Sequence, residues 1–120
     1  MDSYLEKLVA TKAHYPFLRW RKSGLPQYTD ESCARCAAVF DRLIANLGKV
    51  GELGPEEAKI ELFKEAVEAF NSLSEEDESL IETGEREDLC EMCNVVVLAA
   101  GIDPKLYGDG EGPASEWRTW

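Results

Sequence analysis

The four cysteines of this chain stand as two Cys-x-x-Cys pairs, Cys33/Cys36 and Cys90/Cys93, and thiols at that spacing serve three kinds of chemistry. Four thiolates can hold a structural zinc ion in a tetrahedron of sulfur. A thiol near a helix N-terminus is favoured as thiolate and can run disulfide exchange. Otherwise, cysteine packs as a small hydrophobe. The 53 residues between the pairs far exceed the spacing of zinc ribbons and fingers. The sole histidine, His14, is distant in sequence, so neither pair has an adjacent base. Core packing is therefore the expected role, with no metal and no cofactor. If a metal is held, Cys33, Cys36, Cys90 and Cys93 are its ligands.

Carboxylates are the second candidate. Glu57, Glu61, Glu65 and Glu68 recur at helical spacing, and Glu82, Glu85, Glu87, Asp88 and Glu91 follow. Carboxylates that converge between helices hold magnesium, a hard cation that takes oxygen ligands and bridges substrate phosphates. Glu65-x-x-Glu68, sixteen residues, then Glu85-x-x-Asp88 resembles the signature of the all-α nucleoside triphosphate pyrophosphohydrolases. That resemblance, over about 24 residues, implies a magnesium-dependent enzyme as the alternative reading. The preceding Glu-Glu doublet of that signature is Lys64-Glu65 here, and the Glu57 to Glu68 stripe lies opposite its own helix's apolar face.

Helices must position these groups. A first amphipathic segment runs from Ser3 to Ala13, with Asp2 or Ser3 as N-cap. A second begins after Thr29 or Asp30, carries Cys33, Cys36, Phe40, Leu43, Ile44 and Leu47 on one face, and is expected to close at Gly48. A third follows Gly54-Pro55 with Ile60, Phe63, Ala66, Val67 and Phe70 inward. A fourth starts between Ser79 and Thr83, where Ser79 and Glu82 would make a capping box, and runs to Ala100. Between the first two, His14 to Lys22 interleaves aromatic residues with cations; Phe17, Trp20 and Leu25 are expected to cover one end of the bundle, near Trp117 or Trp120. The prediction is an all-α fold, a compact antiparallel bundle of four main helices with a short C-terminal turn or helix. It forms one domain over residues 1–120, with 106–115 as a flexible loop.

Helical counting also points Glu82 and Arg86 toward the apolar side of the fourth segment, where charges are paired or functional. The stretch Leu80-Ile-Glu-Thr-Gly-Glu-Arg-Glu-Asp-Leu-Cys90, with Ala66-Val-Glu-Ala-Phe-Asn71 and the tail Glu116-Trp-Arg-Thr-Trp120, resembles a group of small bacterial all-helical proteins with an Ile-Glu-Thr-x-x-Arg-Glu core. The resemblance implies a fold, supplies no mechanism, and marks Glu82, Arg86 and Glu87.

Charge narrows the partners. The net charge is −11 over 120 residues. Residues 1–54 carry eight basic against six acidic side chains, net +2, while 55–120 carry five against eighteen, net −13. An acidic surface of this kind repels nucleic-acid phosphates and anionic lipid and attracts basic proteins. The start lacks the pattern of a secretory signal, and the longest apolar run, Val95 to Ala100, is far too short to span a bilayer, so a cytoplasmic location with reduced thiols is expected. The leading expectation is a non-enzymatic acidic interaction protein that binds a basic partner, as small immunity proteins and inhibitors do. Glu61, Glu65, Glu68, Glu82, Arg86 and Glu87 are its candidate contacts.

Overall fold

A computed structural model describes residues 3–23, 26, 28–77, 80–81 and 83–120. Within them the chain is helical and carries no strand: α1 spans Ser3–Ala10, α2 Phe17–Lys22, α3 Asp30–Val50, α4 Glu56–Glu76, α5 Thr83–Ala99 and α6 Ala114–Trp117. Short 3-10 turns at Thr11–His14, Pro104–Leu106 and Gly108–Gly110 join them. The all-α bundle expected from the pattern is the observed fold, with α1, α3, α4 and α5 as its main helices.

Local chemistry sets the ends of the long helices. Thr29 caps α3: its Oγ1 accepts from the Ser32 N–H and the Ser32 Oγ accepts from the Thr29 N–H, both at 3.0 Å. Asp30 and Glu31 then face the positive end of the helix dipole. The helix does not stop at Gly48 as expected. It continues to Val50 and closes at Gly51, whose φ of 83° lies in the region glycine enters without strain and whose N–H donates to the Leu47 carbonyl at 3.0 Å. Pro55 precedes the first turn of α4, and Glu56 and Glu57 lie within that turn. The expected capping box of Ser79 and Glu82, the Asp2 cap and Leu25 lie outside the described residues.

α2 is an addition to the expected plan. Six residues make too short a helix to hold alone, so packing must stabilise it: Phe17 and Trp20 are buried. Their rings belong to an aromatic chain that crosses the core. Tyr28 meets Trp20 at 5.3 Å, Trp20 meets Phe17 at 5.2 Å, Phe17 meets Phe40 at 6.1 Å, Phe40 meets Phe70 at 5.2 Å, and Phe70 meets Trp120 at 6.3 Å. The expected meeting of the first linker with the tail tryptophans is thus indirect, with Phe40 and Phe70 between them.

α3 and α4, joined by five residues and tied at their far ends by Arg35 and Glu76, form an antiparallel hairpin. α1 packs on α3 and on α5, α2 packs on α3, and α6 bridges α4 and α5. The molecule measures 42 × 32 × 19 Å. Its thin dimension admits about two helix diameters of roughly 10 Å each. Residues 106–115, expected as a loop, are built from successive turns that lead into α6. There the side chain of Asn94 donates to the Glu111 carbonyl at 3.0 Å.

Candidate functional site

α4 separates its residues by face. Phe63, Ala66, Val67, Phe70 and Leu73 are buried, while Glu57, Glu61, Glu65 and Glu68 are all exposed and enter no ion pair among the described residues. The candidate contacts Glu61, Glu65 and Glu68 therefore form one solvent-facing row along α4. Glu87 is exposed on α5 and Arg86 is half-buried beside it, so the five expected contacts that are described divide between two helices. The Nε of Arg86 is enclosed without a hydrogen-bond acceptor among the described residues. Glu82, the other charge expected on this side of the helix, lies outside them.

Between α3 and α4 runs a groove of about 510 Å³. Val39, Leu43, Leu62 and Ala66 line it, and Ala38 and Ala69 leave it unfilled because their side chains end at Cβ. Arg35 and Arg42 stand on the α3 lip, Glu65 and Ser72 on the α4 lip. Sequence periodicity cannot show this groove, because it depends on which helix lies next to which.

The cysteine pairs do not assemble. Cys33 and Cys36 are on α3, which packs against α1, α2 and α4; Cys90 and Cys93 are on α5, which packs against α1, the Thr11–His14 turn, the Pro104–Leu106 turn and α6. Among the described residues no group of three or more His, Cys, Asp or Glu side chains is placed to hold a metal ion. All four thiols are free, and burial disfavours the thiolate at each. Cys36 is pushed up to about 12 by burial, with Cys33 adding to the effect. Cys93 is raised by burial and then by Cys90. Cys33 is raised by burial, which outweighs the Ser32 hydrogen bond. Cys90 is half-buried, and its raised value reflects burial exceeding the pull of Arg118 and Arg86. Burial thus resists, at all four thiols, deprotonation to the form that thiol chemistry and thiolate ligation would need.

Asp88, a member of the expected magnesium signature, is committed elsewhere. It accepts the Trp20 Nε1–H at 2.8 Å and pairs with Arg19 at 2.7 Å. These contacts fasten α2 to α5. Of the cations between His14 and Lys22, Arg19 thus answers the acidic α5, whereas Arg21 pairs with Asp30 at the start of α3, at 2.7 Å.

The polar residue that sequence reasoning missed is Lys59. It is 5% exposed. Its Nζ donates to the Glu52 carbonyl at 2.8 Å and to the Ala100 carbonyl at 2.9 Å, and it lies 5.1 Å from the centre of the Tyr4 ring. One ammonium thus joins the turn after α3, the end of α5 and the start of the chain. The signal was present: Lys59 lies four residues before Phe63, on the apolar face of α4.

Compared with protein-family models, curated proteins and solved structures, the chain matches none. No described helix is long and apolar enough to cross a membrane.

Proposed function

We propose that this chain is a non-enzymatic interaction protein whose acidic α4 face docks a basic protein, in the manner of a small inhibitor or immunity protein, in the cytoplasm. The observation that carries the reading is the solvated row Glu57, Glu61, Glu65 and Glu68, without ion pairs among the described residues. Carboxylates held this way act at a distance: they raise the encounter rate with a positive surface and lose that effect as salt screens them. A magnesium enzyme would need carboxylates that converge. Here the α4 row points outward and Asp88 is occupied by Trp20 and Arg19.

The test is capture from lysate of the source cells at low salt, with wild type beside the Glu61→Lys/Glu68→Lys double variant. A basic protein retained by the wild type, lost from the variant and eluted by raised salt supports the reading. Equal capture by both forms refutes it.

A further inference from the structure

The α3/α4 groove sets a condition on whatever covers it, because its two lips carry opposite charge. On α3, Arg35, Arg42 and Lys49 follow one another at intervals of seven, which keeps them on one line of the helix. All three are exposed. On α4 the facing lip presents Glu65, also exposed. Arg35 is held by Glu76 across the hairpin, whereas Arg42 and Glu65 form no ion pair among the described residues. A uniformly basic surface would meet repulsion from the α3 lip, and a uniformly acidic one from the α4 lip. The fitting surface is apolar along its middle, acidic where it lies over α3 and basic where it lies over α4.

We propose that this surface is a second copy of the chain, and that the groove is the interface of a two-fold dimer. A half-turn about an axis parallel to the helices, between the two copies, sets α3 of each over α4 of the other, antiparallel. Heights along the axis are unchanged by that rotation. With Arg35 bridged to Glu76 and the Phe40 ring against Phe70, counting along the antiparallel hairpin puts Arg42 near the level of Ala69 and Lys49 near that of Leu62. Arg42 of each copy then stands over the alanine floor of the other, one helical turn from its Glu65. Lys49 reaches the same carboxylate from the other side. The pairs occur twice by symmetry, and the small side chains of Ala38, Ala66 and Ala69 let the two hairpins approach closely. Two chains of net charge −11 repel each other at long range, but at about 0.15 M salt the Debye length of roughly 8 Å confines that term and leaves the contact pairs effective.

The experiment is sedimentation velocity on the full chain, with thiols kept reduced, at about 0.15 M salt and from about 1 µM to about 500 µM, the range of transient interfaces. The wild type is expected to move from 13.4 kDa toward twice that mass. Arg42→Glu and Glu65→Arg, both on exposed positions, should each weaken association about tenfold or more, since attraction becomes repulsion at two symmetric places. The double variant R42E/E65R inverts both lips and should restore association to within about threefold. A wild type of 13.4 kDa throughout, single variants that associate like the wild type, or a double variant that stays monomeric would each overturn the dimer. A monomeric wild type whose capture of a basic protein changes with Arg42→Glu would assign the groove to that protein and overturn it as well.

Discussion

Replacing the buried lysine tests how one charge holds three parts of the fold together. Lys59→Met keeps a stem of similar length and removes the ammonium, so both carbonyls, of Glu52 and Ala100, lose their donor in an enclosed site. A hydrogen bond from a charged donor is worth about 1.5–3 kcal/mol, which makes the gross loss about 3–6 kcal/mol for two. Methionine also escapes the cost of burying an ammonium, which offsets part of that. The net expectation is a destabilisation of about 3 kcal/mol, a large share of the 5–15 kcal/mol that holds a domain of this size. Lys59→Ala removes three buried methylenes as well and should cost about 2 kcal/mol more, at roughly 0.8 kcal/mol each. Urea unfolding followed by circular dichroism reads this directly. With a slope of about 1.5 kcal/mol per M, the Met variant's midpoint falls by about 2 M. A midpoint within about 0.5 M of the wild type would mean that the two carbonyls are satisfied without Lys59, and the reasoning from its burial would fail.

Two further outcomes follow from the titrating groups. Tyr107 donates to Glu56 at 2.6 Å and its phenol is pushed up to about 12, chiefly by that hydrogen bond; Tyr15 is raised by burial and by its 2.8 Å bond to Asp41. Because the folded state holds these protons more tightly than the unfolded chain, their contribution is complete below about pH 10 and is lost as pH rises through 10 toward 12. Ultraviolet titration should show Tyr15 and Tyr107 ionising late, and Tyr15→Phe should remove one late phenol; ordinary titration of all four tyrosines near pH 10 would refute this. For the thiols, a disulfide reagent at about pH 8 should reach Cys90 first and leave Cys36 and Cys93 unreacted until denaturant is added. Immediate reaction of all four in the native protein would contradict their burial.

The long helices were legible because each carries its own boundary chemistry and an apolar face of sufficient length. Thr29 and the acidic turn after it mark the start of α3, and Cys33, Cys36, Phe40, Leu43, Ile44 and Leu47 all proved buried. The end of α3 was misplaced by three residues because Gly48 and Gly51 offer the same local signal, and only the backbone at Gly51 uses it. α2 was illegible as a helix since its stability comes from where Phe17 and Trp20 land. The solvated row on α4 could be read by counting residues around the helix. The groove beside it and the separation of the cysteine pairs could not, since both depend on which helices become neighbours.

The bond between Trp20 and Asp88 gives the fold a built-in optical report. Trp20 is 3% exposed and sits where α2 meets α5, whereas Trp117 and Trp120 are partly exposed along the tail that crosses α4. An indole shielded from water emits at shorter wavelength than a wetted one. The three tryptophans therefore divide into two reporters: Trp20 for the parting of α2 from α5, and the tail pair for the lifting of the C-terminal segment from Asn71, which accepts the Thr119 N–H and donates to the Trp117 carbonyl. Each event can be followed in its own single-tryptophan variant, without any added label.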